Sequence, residues 1–163
     1  MERRPAHGSR RLKLTVISIG KDRSGLFAPG VAEYADRLSH GFRVRLDELP
    51  ESRASGAKAK TDEGEAIIDK LGSRDALVAL DERGKSLSSV EFAKWLSQQQ
   101  LQGRDVAFAI GGDEGLSDAV RTRASLVLSL SAMTLPHRLA RLVLMEQVYR
   151  AVTIIRGEPY HKA

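Results

Sequence analysis

Cysteine is absent from this sequence of 163 residues, which excludes disulfide bonds and zinc–thiolate sites. No apolar run approaches the roughly 20 residues that a membrane-spanning helix needs. The N-terminal stretch MERRPAHGSRRLKL is basic but lacks an apolar region followed by a cleavage site, so it does not resemble a secretory signal. These absences predict a protein of the reducing cytoplasm with no membrane partner.

The composition is 42% apolar and 29% charged, which is typical of a soluble globular domain. The net charge is +5, and both ends of the chain are basic: residues 1–11 and the last thirty residues each carry a net +3. We therefore expect a basic extension over 1–11 and a single domain over 12–163. This charge favours an anionic partner. A mixed solvated surface, or a basic tail that is merely mobile, explains it about as well.

Apolar periodicity predicts alternating strands and helices. The predicted strands are 12–19, 42–49, 76–80, 105–110 and 126–130, and the predicted helices are 27–39, 61–71, 88–101, 117–124 and 136–155. Thr61 can cap the second helix, Ser88 and Glu91 form a capping-box pattern, and Pro136 suits a first helical turn. The stretch 50–60 is polar and predicts a loop. Strands that are apolar on both faces indicate an α/β fold, a mostly parallel sheet with helices on both faces.

A glycine-rich turn, IGGDEG at 110–115, lies between a strand and a helix. It does not follow the P-loop pattern or the dinucleotide fingerprint, because its two leading glycines are adjacent and no Gly-Lys-Ser/Thr follows. Asp113 and Glu114 would repel a phosphate. The turn therefore favours a neutral or cationic ligand such as S-adenosylmethionine, and a tight turn without any ligand is at least as consistent with the local pattern.

The C-terminal third carries more specific motifs. FAIGGDEGLSDAV, LSLSAMTLPHRLARLVLMEQVYRA and a terminal PYHK, together with LKLTVISIGK and LDERGKSLSS, resemble the ribosomal RNA large subunit methyltransferase H family of the SPOUT superfamily. The resemblance runs from Leu12 to Lys162. It departs from the family at Asp113, where proline is frequent, and at the basic extension, which lies outside it.

The resemblance implies an α/β fold with a C-terminal trefoil knot, a homodimer, and metal-free methylation of N3 of a pseudouridine in large-subunit (23S) rRNA, in the assembled ribosome. It implies S-adenosylmethionine as cofactor, held by three loops. The implied cofactor residues are Leu80 in the first loop, Gly111 and Gly112 in the second, and Leu130, Ser131, Ala132, Met133, Thr134 and Leu135 in the third. Apolar side chains and exposed loop backbone suit an adenine. Without the resemblance, LSAMTL could equally be a core strand and its turn.

Four residues are candidates for the catalytic step, which must remove a proton from the target nitrogen. His137 begins the last helix beside the third loop and could act as a neutral base, or simply hydrogen-bond locally. Tyr160, His161 and Lys162 follow Pro159 and have no apolar neighbours in sequence. We therefore expect an unanchored tail that stacks on and contacts the target base, and whose deletion costs little stability. A disordered end is the alternative.

The last helix carries a run, LVLM at 142–145, that is apolar around almost the whole helix and predicts a subunit interface. Arg141 and Glu146 flank this run, and Glu146 pairs with Arg150 at i, i+4 spacing. We assign all three to the substrate or dimer interface, with a plain helix-surface pair as the alternative for Glu146 and Arg150.

The sequence thus favours an S-adenosylmethionine-dependent rRNA methyltransferase. A non-catalytic ribosome-associated RNA-binding module is the alternative, although such a module has no use for the cofactor loops. A nucleotide-hydrolysing α/β enzyme is a third reading, which the missing phosphate-binding motifs disfavour.

Overall fold

The computed structural model describes residues 11–162, and only the backbone of the last two. Five strands form one sheet in the order β2-β1-β4-β3-β5, and every adjacent pair is parallel. The strands are β1 Lys13–Ile19, β2 Arg43–Leu49, β3 Ala76–Ser86, β4 Val106–Ile110 and β5 Leu126–Ser129. The helices are α1 Ala28–Ser39, α2 Gly56–Asp69, α3 Ser89–Leu101, α4 Asp118–Arg123 and α5 His137–Arg156, and a 3-10 turn, Pro159–Lys162, follows. The predicted extension lies outside the described residues except for Arg11.

Two cores cover the two faces of the sheet, because successive strand residues point to opposite sides. On one face, strand residues such as Val78 and Phe108 pack against α1, α3 and α5. On the other, their neighbours Ala79 and Ala109 pack against α2 and α4, through Ile67 and Val120. The predicted fold class, a parallel sheet with helices on both faces, is confirmed.

Two predicted boundaries are wrong for identifiable reasons. Helix α2 begins at Gly56, not after Thr61, because the alanines and lysines of the polar stretch favour helix. The Thr61 hydroxyl donates to the Ala57 carbonyl, 3.0 Å away, inside that helix and caps nothing. Strand β3 continues to Ser86, because Leu80 and Lys85 both pair with Leu128 and the four residues between them bulge out of the ladder. The sequence offers no periodic signal for such a bulge.

The predicted caps fare better. Ser88 accepts a hydrogen bond from the Glu91 amide at 3.1 Å, and the Glu91 carboxylate accepts one from the Ser88 amide at 2.7 Å, so the capping box is confirmed. Pro136 precedes the first residue of α5 rather than lying inside the first turn.

Because all strands are parallel, their carboxyl ends meet at one edge of the sheet, here called the carboxyl edge. Helix α5 starts at this edge.

Candidate functional site

A cavity of about 630 Å³ opens at the carboxyl edge, beyond the ends of β4 and β5 and beside the bulge of β3. Its volume lies in the range of small-molecule binding sites. Eight of the nine predicted cofactor residues line it: Leu80, Gly111, Gly112, Leu130, Ser131, Met133, Thr134 and Leu135. Ala132 does not form part of the wall and is exposed. Three loops that are distant in sequence therefore meet around one cavity.

The glycine turn is built by its own backbone. The Gly115 amide donates to the Gly112 carbonyl at 3.0 Å, and Gly115 has a φ of +78°, which favours glycine. A Cβ on Gly111 would lie 2.7 Å from the Gly115 carbonyl carbon, so a side chain there would collide with the turn. A Cβ on Gly112 would meet Ile19 at 3.1 Å and Glu63 at 3.4 Å. The turn itself thus requires Gly111, and the free side of Gly112 faces the protein interior.

The third loop is fixed by short hydrogen bonds. The Ser129 hydroxyl donates to the Ser131 carbonyl, the Met133 amide donates to the Ser131 hydroxyl, both at 2.9 Å, and the Thr134 hydroxyl donates to Glu82 at 2.7 Å. Met133 is 78% exposed even though it lines the cavity. The loop therefore has an ordered backbone. Its Met133 side chain is apolar and solvent-exposed, so a ligand that binds against it would displace water.

The bulge in β3 adds a charged wall that sequence reasoning missed. Asp81 accepts hydrogen bonds from Arg83 and from Arg121, the latter at 3.1 Å, and Arg121 also donates to the Leu116 carbonyl and to Asp118. The hydrogen bonds from Arg83 hold the pKa of Asp81 below its usual value. Only Leu80 was assigned to this segment. Charged residues directly after a buried parallel strand were the available signal, because such residues reach the carboxyl edge.

His137 faces the glycine turn across the cavity. Its Nδ1 lies 3.7 Å from Oδ1 of Asp113, and both residues line the cavity. Its Nε2 is buried and has no hydrogen-bond partner among the described residues. A buried ring nitrogen without a partner costs free energy unless a bound group supplies one. Of the two predicted catalytic side chains that the structure describes, those of His137 and Tyr160, only His137 lines the cavity.

Tyr160 lies elsewhere, so the expectation of an unanchored tail is wrong. Its hydroxyl donates to Glu146 at 3.2 Å and lies 3.1 Å from the Tyr34 hydroxyl. Its ring packs edge-to-face on Tyr149, with 4.8 Å between centroids, and the Arg150 guanidinium lies 5.1 Å from its centroid. Burial raises the pKa of the phenol. His161 and Lys162 continue the same 3-10 turn. Tertiary packing thus supplies the apolar neighbours that the local sequence lacks.

The interface assignments need revision at Arg141. Its side chain is 7% exposed and pairs with Glu48 of β2 at 3.1 Å, so it is used inside the chain. Glu146 and Arg150 form the predicted i, i+4 pair at 2.6 Å and are half-buried. In the LVLM run, Leu144 and Met145 belong to the core. Leu142 is partly buried against the same core, which leaves Val143, partly exposed, for an interface.

No group of three or more His, Asp or Glu side chains is arranged to hold a metal ion within residues 11–162. Over the same residues, no helix is long and apolar enough to cross a membrane.

The sequence matches the family described as "Predicted SPOUT methyltransferase" over residues 12–161. A protein of Anaeromyxobacter sp. (strain Fw109-5), named Ribosomal RNA large subunit methyltransferase H, is 54% identical over 153 residues, which cover 93% of this chain and all of that protein. The chain belongs to this methyltransferase H family of the SPOUT superfamily. Proteins of the same name from Limosilactobacillus reuteri (strain DSM 20016) and Trichlorobacter lovleyi (strain ATCC BAA-1151 / DSM 17278 / SZ) are 44% and 43% identical, and this chain covers 100% and 99% of them.

Proposed function

We propose that this protein is an S-adenosylmethionine-dependent methyltransferase that modifies N3 of a pseudouridine in large-subunit (23S) rRNA, in the assembled ribosome and hence in the cytoplasm. The observation that carries the proposal is the meeting of the three loops at one cavity, in a member of a methyltransferase family. The relatives bear a name that specifies large-subunit rRNA. We also expect the C-terminal segment to form the trefoil knot.

The cavity suits this cofactor chemically. Leu80, Leu130 and Leu135 offer apolar contact to a purine, and the backbone of the glycine turn is open to its polar edge. Asp113 and Glu114 lie on the wall and favour a cation, such as a sulfonium, over a phosphate. When bound, S-adenosylmethionine supplies a methyl group activated by that sulfonium. The loops orient it, and no metal is required.

His137 is the residue best placed to handle the proton of the target nitrogen. Its unpartnered Nε2 can accept a hydrogen bond from an N–H group of a bound base, and so hold that base in the cavity. Lys60 also lines the cavity and can contact the RNA backbone beside that base. Lys60 helps to bind and orient the RNA, while His137 takes or shares the proton.

The tail completes the site only if it comes from a second subunit, because within one chain Tyr160 is engaged far along α5 from the cavity. We therefore propose a homodimer in which the tail of one chain, with His161 and Lys162, reaches the cavity of the other. The partly exposed Val143 of α5, which belongs to neither core, supports an interface on this helix. A monomer at micromolar concentration in light scattering would contradict it.

Mixing two inactive variants tests whether the site is shared. His137→Gln and a chain lacking residues 160–163 are each expected to lose methyl transfer. If the site takes the tail from the partner, random mixing restores about a quarter of wild-type activity, because half of the dimers carry one intact site. No recovery, with mixed dimers verified by mass spectrometry, would place tail and cavity in the same chain or deny the tail a role.

Two measurements test the reaction itself. Calorimetry should detect S-adenosylmethionine binding to the purified protein in the presence of a metal chelator. Mass spectrometry of rRNA from cells with and without the gene should reveal one methylated pseudouridine that depends on it. Binding without the modified nucleotide would refute the substrate while retaining the cofactor.

A further inference from the structure

The edge of the sheet opposite the cavity is rich in arginine. We call it the amino edge and define it as residues 11–13, 39–43, 69–76, 101–106, 123–126 and 156–158, where strands begin and helices end. The strand starts are in register, with Lys13 opposite Arg43 and Ala76 opposite Val106. These segments hold eight Lys and Arg residues against four Asp and Glu residues, in a chain whose net charge is +5.

Four of the six arginines of this edge donate to main-chain carbonyls. Arg11 donates to the carbonyls of Ser39 and Phe42, and Arg43 donates to that of Arg11. In the same way, the carbonyl of Arg74 accepts from Arg104, and those of Gly72 and Asp75 accept from Arg123. A carbonyl orients a guanidinium without neutralising it, so each of these side chains keeps its full charge and several free N–H donors.

Two of the four acids of the edge bind backbone amides. Asp75 accepts from the Gly72 amide at 2.8 Å, and Asp105 accepts from the Lys13 amide at 2.9 Å. None of the six arginines of the edge forms an ion pair with a carboxylate within residues 11–162; they are Arg11, Arg43, Arg74, Arg104, Arg123 and Arg156. The positive charge of the edge is therefore largely uncompensated.

At the carboxyl edge, arginines do form ion pairs. Arg83 and Arg121 pair with Asp81, Arg138 approaches Asp22, and Arg141 pairs with Glu48. Arg121 and Arg138 also donate to main-chain carbonyls, so the two edges differ in their ion pairs, which lie beside the cavity and are missing among the described residues of the amino edge. A folding role alone needs no such division, because either kind of partner would tie a loop down.

We propose that the amino edge binds the phosphate backbone of RNA, as a second contact surface remote from the cavity; the proposal rests on RNA being the substrate, as argued above. A planar guanidinium held at one N–H can present its remaining donors to a phosphate as a fork. Five strands about 4.8 Å apart make an edge of about 19 Å, long enough for several phosphates. Contacts of this kind position the RNA without reading its sequence.

A membrane surface fits this edge less well. Interfacial binding needs a helix with a continuous exposed apolar face. Of the large hydrophobic residues that are exposed in the described chain, only Leu101 lies in the amino edge. RNA is therefore the polyanion that the observations favour.

The test compares two triple variants of equal net charge. Arg43→Gln, Arg74→Gln and Arg156→Gln remove charge from the amino edge, where all three residues are exposed. Arg45→Gln, Lys58→Gln and Lys94→Gln remove the same charge elsewhere; Arg45 and Lys58 already pair with Asp47 and Asp62. Fluorescence anisotropy measures the affinity for a mixed-sequence single-stranded RNA and for a large-subunit rRNA fragment, between 50 and 200 mM salt. Calorimetry with S-adenosylmethionine and melting temperatures verify that both proteins are intact.

For the amino-edge triple, we expect about tenfold weaker binding at the lower salt concentration and a salt slope smaller by about two, because three phosphate contacts are lost. The control triple should keep the wild-type slope, and arginine-to-lysine changes at the three edge positions should restore most of it. Equal losses in both triples, or no loss in either, would overturn the proposal. So would an edge triple that loses binding to vesicles containing phosphatidylserine while it keeps binding RNA.

Arg74→Gln serves as a fallback if the edge triple does not fold, because the Arg74 side chain makes no hydrogen bond within the described residues. Its slope should fall by about 0.7, and an unchanged slope would overturn the proposal. A wild-type protein that shows this charge dependence but never methylates rRNA would refute the proposed function and leave the amino edge as an RNA-binding surface.

Discussion

The polar side chains in the two halves of helix α5 have different surroundings. At its start, His137 faces a cavity with one ring nitrogen unpartnered. About 13 Å further along, Glu146 accepts hydrogen bonds from Arg150 and from Tyr160, and Tyr160 also meets Tyr34. The first half of α5 thus carries a polar atom without a partner, whereas the polar groups of the second half are hydrogen-bonded within the chain. Residues that resemble one catalytic set in sequence therefore lie in two separate environments.

This difference bears on how the site could work. A polar atom without a partner beside a cavity can be satisfied by a ligand. A cluster whose polar groups are already hydrogen-bonded must first open before it binds one, or another copy of the chain must supply the binding group. The tail that would hold the target base begins at Tyr160, which belongs to the hydrogen-bonded cluster around Glu146. Three changes test this contrast between the two halves of α5 and a fourth tests the charged wall of the cavity, beginning with the change expected to have the largest effect.

Replacing Gly111 by Val should damage the cavity most. The new Cβ would collide with the Gly115 backbone, so the turn must move, and we expect affinity for S-adenosylmethionine to fall at least 100-fold with a lower melting temperature. Calorimetry and thermal denaturation measure both effects. Ala132→Val is the control, because Ala132 is exposed and not part of the wall. Retained affinity in Gly111→Val would show that the turn does not hold the cofactor.

His137→Gln should lower the rate of methyl transfer by about 100-fold and leave cofactor affinity nearly unchanged, because it removes a proton-handling group but keeps a polar side chain. Single-turnover rates and calorimetry separate the two effects. His40→Gln is the matched control, since His40 is exposed and follows α1 at the amino edge. A wild-type rate would reduce His137 to a local structural role.

Deleting residues 160–163 should lower the free energy of unfolding by about 2 kcal/mol, because the Tyr160 ring packs on Tyr149 and its hydroxyl bonds Glu146. Tyr160→Phe keeps the ring and should cost about half as much. Urea denaturation measures both. If the deletion leaves the free energy of unfolding unchanged, the tail is unanchored after all and the contrast between the two halves of α5 fails.

Asp81→Asn should cost about 1–2 kcal/mol at neutral pH, by weakening the hydrogen bonds that Arg83 and Arg121 donate. The folded pKa of Asp81 is lowered, so its contribution is present above the unfolded value near 3.9 and is lost as the pH falls through the folded value. Melting temperatures of wild type and variant should therefore differ at pH 7 and converge as the pH falls through the folded pKa of Asp81. A difference that persists in acid would assign the effect to packing. Asp36→Asn, on the exposed side of α1, is the control.

Much of the architecture followed from periodicity alone. Strands apolar on both faces predicted a covered parallel sheet, and the capping box at Ser88 and Glu91 formed as its local pattern predicted. Both depend on neighbours in sequence. The start of α2 and the bulge after Leu80 were missed, because propensity within a polar stretch is weak and a bulge is imposed by the neighbouring strand.

The site divides in the same way. The sequence by itself determined which residues follow the strand ends, and in a parallel sheet this brings Leu80, Gly111 and Leu130 to one edge. Only the tertiary structure decided the partners of the charged and aromatic side chains. It buried Arg141 against Glu48, packed Tyr160 on Tyr149 and placed four amino-edge arginines on carbonyls, because such contacts join residues far apart in the chain. Local pattern carries no signal for pairs at that separation.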